Sequence, residues 1–117
     1  MLTLQFGIRK DNLAILNEVV KESVNYGVWS TFYGQDTIAT LNNIKNLIKD
    51  LYFTSTKSDN ELYELSLSFN EGQILKKIIV FYLTNNFHTM SREKFEGVSD
   101  FILFVDDALE DALTNIL

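Results

Sequence analysis

Two stretches of this chain alternate strictly between apolar and other residues. Leu2, Leu4, Phe6 and Ile8 interleave with Thr3, Gln5, Gly7 and Arg9, and Tyr63, Leu65, Leu67 and Phe69 interleave with Glu64, Ser66 and Ser68. A period of two places one set on each face of a strand, so half-buried strands are expected over 2–8 and 63–69. Between them the period changes. Leu13, Leu16, Val20 and Val24, with Ile15 and Val19 beside them, recur at three and four. They predict a helix over 12–26, capped by Asp11 or Asn12 and stopped by Gly27. Ile38, Leu41, Ile44, Ile48 and Leu51 predict a second helix over 37–53, opened by Asp36. Its other face carries Asn42, Asn43, Lys45, Asn46 and Lys49 and reads as ordinary wetted surface. A chain that keeps both periods in separate runs belongs to the α+β class.

The remaining segments complete the order. Val28 to Tyr33 is dense in β-formers and closed by Gly34, which predicts a short strand. Residues 54–60 are a polar loop. Asn70-Glu71-Gly72 reads as a turn, followed by a return strand over 73–83. Ile78 to Leu83 is apolar on both faces, so that strand is expected at the centre of the sheet. Ser91 is a good N-cap, with Met90 and Phe95 placed as a hydrophobic staple. Gly97 and Ser99 suggest a break, and 99–116 is strongly helical. The expected order is β-α-β-α-β-β-α in one domain spanning 1–117: a small antiparallel or mixed sheet of three to four strands, with helices packed on it. With 117 residues and 46% hydrophobic content, the chain has enough apolar material for one core.

Composition removes several chemistries. There is no cysteine, which excludes disulfides, thiolate catalysis and cysteine metal sites. The N-terminus lacks the basic start and apolar block of a signal peptide, and the run Ile78–Leu83 is far too short to span a bilayer. A cytoplasmic protein is expected, with no membrane partner. No phosphate-binding glycine loop, EF-hand or zinc-helix motif is present, and no cofactor is expected. The single histidine, His88, lies in a polar stretch without a nucleophile motif and reads as an exposed loop residue. Asp106-Asp107-Ala-Leu-Glu110-Asp111 has spacing that could hold Mg²⁺ if Glu18 and Glu22 supplied a second pair, as in helical phosphohydrolases. Such enzymes are usually all-helical, whereas this chain contains strands. No catalytic or metal residue is therefore assigned.

Charge is distributed unevenly. Residues 1–94 hold ten basic and ten acidic side chains, whereas 95–117 hold six acidic ones and no basic one, so the net −6 resides in the last segment. Wound as a helix, that segment turns Asp100, Asp107 and Asp111 to one side, flanked by Asp106 and Glu110. Leu103 and Phe104 fall on the same outer half. Like charges four apart, and acids near a helix C-terminus, each cost a few tenths of a kcal/mol (~0.2–1). One reading is a solvated acidic face that aids solubility, with Leu103 and Phe104 turned into neighbouring contacts. The other is a binding surface in which the carboxylates steer a basic partner and the apolar pair anchors it. The candidate partner-binding residues are therefore Asp100, Leu103, Phe104, Asp107, Glu110 and Asp111, with Trp29 and Tyr33 of the aromatic segment as secondary candidates.

Direct nucleic-acid binding is not expected of an acidic chain. The leading expectation is a non-enzymatic protein-binding module of bacterial or phage type. One form is an inhibitor or immunity protein that covers a basic toxin such as a nuclease. A homo-oligomeric structural or accessory protein, such as a homodimer joined through the aromatic segment or an edge strand, is the alternative, and a metal-dependent phosphohydrolase comes third.

Overall fold

The computed structural model describes residues 3–24 and 34–114. Strand β1 (Thr3–Arg9) leads without a loop into helix α1 (Lys10–Val24). Helix α2 (Gly34–Thr56) follows, then strand β2 (Leu62–Ser68), helix α3 (Phe69–Asn86) and helix α4 (Arg92–Thr114). The class is α+β. β1 and β2 pair antiparallel, with Leu4 opposite Leu67 and Ile8 opposite Tyr63. The alternation works as expected on both strands: Leu4, Ile8, Tyr63, Leu65 and Leu67 are buried against the helices, while Thr3, Gln5, Glu64 and Ser66 stay exposed. The strand expected over 28–33 lies outside the described residues.

The largest departure from the sequence reading is at 69–86. No turn and return strand follow β2; the chain enters α3 directly. Ser68 and Glu71 form a reciprocal capping box. The Glu71 amide donates to Ser68 Oγ at 3.1 Å, and the Ser68 amide donates to Glu71 Oε1 at 2.8 Å. A serine followed three residues later by a glutamate is a helix-start signature, and here it overrides the turn reading of Asn70-Glu71-Gly72. The β-branched run Ile78-Ile79-Val80 favours strand locally, but length and spacing favour helix. Ile74, Leu75, Ile78, Ile79 and Tyr82 are buried at helical intervals, whereas a strand would turn one of the adjacent Lys76 and Lys77 into the core. The run is covered on most sides, as expected, but as a helix packed on β1 and β2 and not as the central strand of the sheet. α3 packs against α1, α2, α4 and both strands, and such an environment makes an element apolar nearly all round.

Boundaries moved for local reasons. α1 starts at Lys10, whose amide donates to the Glu61 carbonyl at 3.0 Å and whose ammonium donates to the Ser58 carbonyl at 2.8 Å. α2 runs into the expected loop because the hydroxyls of Thr54, Ser55 and Thr56 donate back to the carbonyls of Asp50, Tyr52 and Phe53. α4 is one helix through Gly97. A Cβ there would stand 3.2 Å from Ile15 Cδ1, so the glycine lets α4 lie close on α1. This packing offsets the ~1 kcal/mol that glycine costs inside a helix. Ser91 caps α4 as expected, accepting from the Lys94 amide at 3.2 Å. The core gathers Leu13, Leu16, Leu41, Ile44, Ile48, Phe101 and Val105 around α3. No helix among the described residues is long and apolar enough to cross a membrane.

Candidate functional site

α4 is held on the body by an apolar stripe and turns a charged face outward. Val98, Phe101, Val105 and Ala112 are buried, and Ile102 and Leu109 pack partly against the core. At about 100° per residue these side chains occupy one side of the helix. The outer arc carries Asp100, Asp107, Glu110 and Asp111, all exposed. Among the described residues none of the four has an ion-pair partner. Asp106, also expected on this face, lies at its edge and pairs with Lys76 of α3. It is thereby tied to the body and taken out of the free acidic set.

The apolar candidates lie where the winding placed them. Leu103 is 61% exposed and Phe104 48% exposed, large fractions for side chains of this size. On the helix surface they stand on opposite sides of the three aspartates. The result is a carboxylate strip with an apolar side chain on each flank. Leu113, next to the helix end at Thr114, is also exposed and was missed in the sequence reading. Its place outside the Phe101–Val105–Ala112 stripe was the available signal. The secondary candidates Trp29 and Tyr33 lie outside the described residues, as does Ile116 of the expected stripe.

Two of the carboxylates considered for metal chemistry are engaged elsewhere. Glu18 accepts from Lys94 Nζ at 3.1 Å, and Asp106 pairs with Lys76. Among the described residues no three His, Asp or Glu side chains converge on a point. Lys94 also lies 5.3 Å from the centre of the Tyr82 ring. Burial pushes the Tyr82 hydroxyl above its ordinary value; a hydrogen bond with Lys94 opposes this and one with Glu22 adds to it. Burial works to lower the Lys94 ammonium, but hydrogen bonds with Tyr82 and Glu18 outweigh it and hold the group above its ordinary value. This cluster ties α1, α3 and α4 together. With its tyrosine and lysine both held protonated, it is suited to anchoring and not to proton abstraction. His88 is exposed in the turn between α3 and α4, its ring centre 4.0 Å from that of Phe87.

No protein-family model, curated protein or solved structure matches the chain.

Proposed function

We propose that this is a non-enzymatic cytoplasmic protein that works by occlusion, docking the outer face of α4 on a basic protein partner. The observation that carries the reading is the pairing of unneutralised Asp100, Asp107 and Asp111 with exposed Leu103 and Phe104 on one rigid helix. Carboxylates steer a basic partner over long range and set the on-rate, while desolvated apolar anchors set the off-rate. Neither half needs a catalytic group. An inhibitor or immunity protein for a basic toxin such as a nuclease fits this design, because a row of carboxylates presents to such an enzyme the charge that phosphates would. Solubility alone would call for the acids but not for the two large exposed apolar side chains that flank them.

Neutralising Asp100, Asp107 and Asp111 to Asn tests the steering. With a purified basic partner, association is expected to slow by about tenfold or more at low salt and to lose most of its salt dependence. An unchanged association rate would retire the acidic face as the docking surface.

A further inference from the structure

A second charged feature lies on the seam between α1 and α2. Asn17 and Lys21 of α1 and Lys45, Lys49 and Phe53 of α2 line a concave groove of about 190 Å³. The spacing explains the convergence: 17 and 21 are four apart on one helix, and 45, 49 and 53 recur at four on the other, so each set forms a ridge along its helix. No carboxylate lines the groove. Among the described residues none of the three lysines makes an ion pair. Lys45 and Lys49, four apart on α2, repel one another by a few tenths of a kcal/mol (~0.2–0.5), and Lys21 adds a third positive side chain from α1. A bound anion removes that cost. Phe53 stands at the rim, 54% exposed, with Lys49 Nζ 5.9 Å from its ring centre. An exposed aromatic face beside cations suits a flat, delocalised group.

From this groove we infer a binding site for a small soluble organic phosphate of the nucleotide type. Its phosphoryl group is held by Lys21, Lys45 and Lys49, and its planar group lies on Phe53. The size supports this division. A hollow of about 190 Å³ is below the ~300–1,000 Å³ that encloses a whole drug-sized ligand, so it takes the phosphoryl end and leaves the rest at the rim. Asn17 supplies an amide to a remaining oxygen. The site uses α1 and α2, not the outer face of α4, and stands independently of the occlusion reading.

The test is an NMR titration of the full chain with inorganic phosphate, adenosine monophosphate and adenosine. Amides of 17–21 and 45–53 are expected to shift saturably with the monophosphate, less strongly with phosphate, and not with adenosine. K45Q/K49Q is expected to bind the monophosphate at least about tenfold more weakly, since two charge-assisted contacts are lost. F53A should weaken the monophosphate and leave inorganic phosphate unchanged. Without ligand, K45Q/K49Q should melt at or above the wild-type temperature, because a repulsion has been removed. The site is overturned if adenosine shifts these amides as strongly as the monophosphate, if K45Q/K49Q binds like wild type, or if that variant melts lower. Cosedimentation with anionic vesicles without monophosphate binding would overturn the assignment to a soluble ligand.

Discussion

At Gly72 the chain has no room for a methyl group. The residue sits buried in the first turn of α3, and a Cβ there would collide with the side chain of Leu4 on β1 and stand 3.4 Å from Leu109 Cδ2. Alanine in place of glycine inside a helix ordinarily gains ~1 kcal/mol. Here overpacking costs ~1–3 kcal/mol and wins, so Gly72→Ala should lower stability in urea denaturation. Combining it with Leu4→Ala should cost less than the sum of the two single losses, because the two side chains compete for one space. A stabilised Gly72→Ala would show that the approach of β1 to α3 is looser than described. By local sequence this glycine reads as part of a turn. The approach of Leu4 is long-range and left no local mark, whereas the Ser68–Glu71 spacing beside it was a local mark and was passed over. The Tyr82–Lys94 cluster also predicts at this scale. Both groups hold their protons more tightly folded than unfolded. Their contribution is therefore complete below the unfolded tyrosine value of about 10 and is lost as pH rises beyond it. Urea midpoints measured from about pH 8 to 11 should fall at the alkaline end, and Tyr82→Phe should make that fall shallower. An identical profile in Tyr82→Phe would remove the tyrosine from the account.

Among the elements, α3 and α4 show what period and composition could and could not reveal. The two strands were legible because one face of each meets water, which writes a period of two into the residues. α4 was legible because its buried stripe and charged face are distinct. α3 touches other elements on most sides, so its apolar residues carry little contrast, and a β-branched run then favours strand by propensity alone. The continuous α4 was legible except at Gly97, whose reason lies in Ile15 of another helix. The capping box tests the identity of α3 directly. Ser68→Ala should cost about 0.5–2 kcal/mol, a value a turn residue at the surface would not give. α4 carries an opposite prediction. Asp111 lies in its last turn, four residues after Asp107, with no basic residue in that turn. Asp111→Lys should therefore raise stability by about 0.3–1 kcal/mol by thermal denaturation while weakening partner binding. A destabilised Asp111→Lys would mean that the carboxylate has a structural partner. A helix that gains stability when its acid is removed is one whose pattern is not set by stability.

For the molecule as a whole, the charge map organises the reading. A body of balanced charge carries one acidic helix, and within that body three lysines gather at the α1–α2 seam. The helix charge was legible in the sequence because it is a block. The lysine groove was not, because Lys21 and Lys45 come together only when two helices pack, and on its own helix Lys45 looked like wetted surface. The outer face of α4 was legible as to its residues, although Asp106 proved committed to Lys76 and Leu113 joined the exposed set. The most direct measurement is a matched capture from the native host with three baits: the wild-type chain, D100N/D107N/D111N, and L103A/F104A. Quantitative mass spectrometry is expected to find one basic protein enriched on the wild-type bait and reduced by about tenfold or more on both variants. Equal recovery of that protein on all three baits, or recovery of this chain alone, would contradict the account.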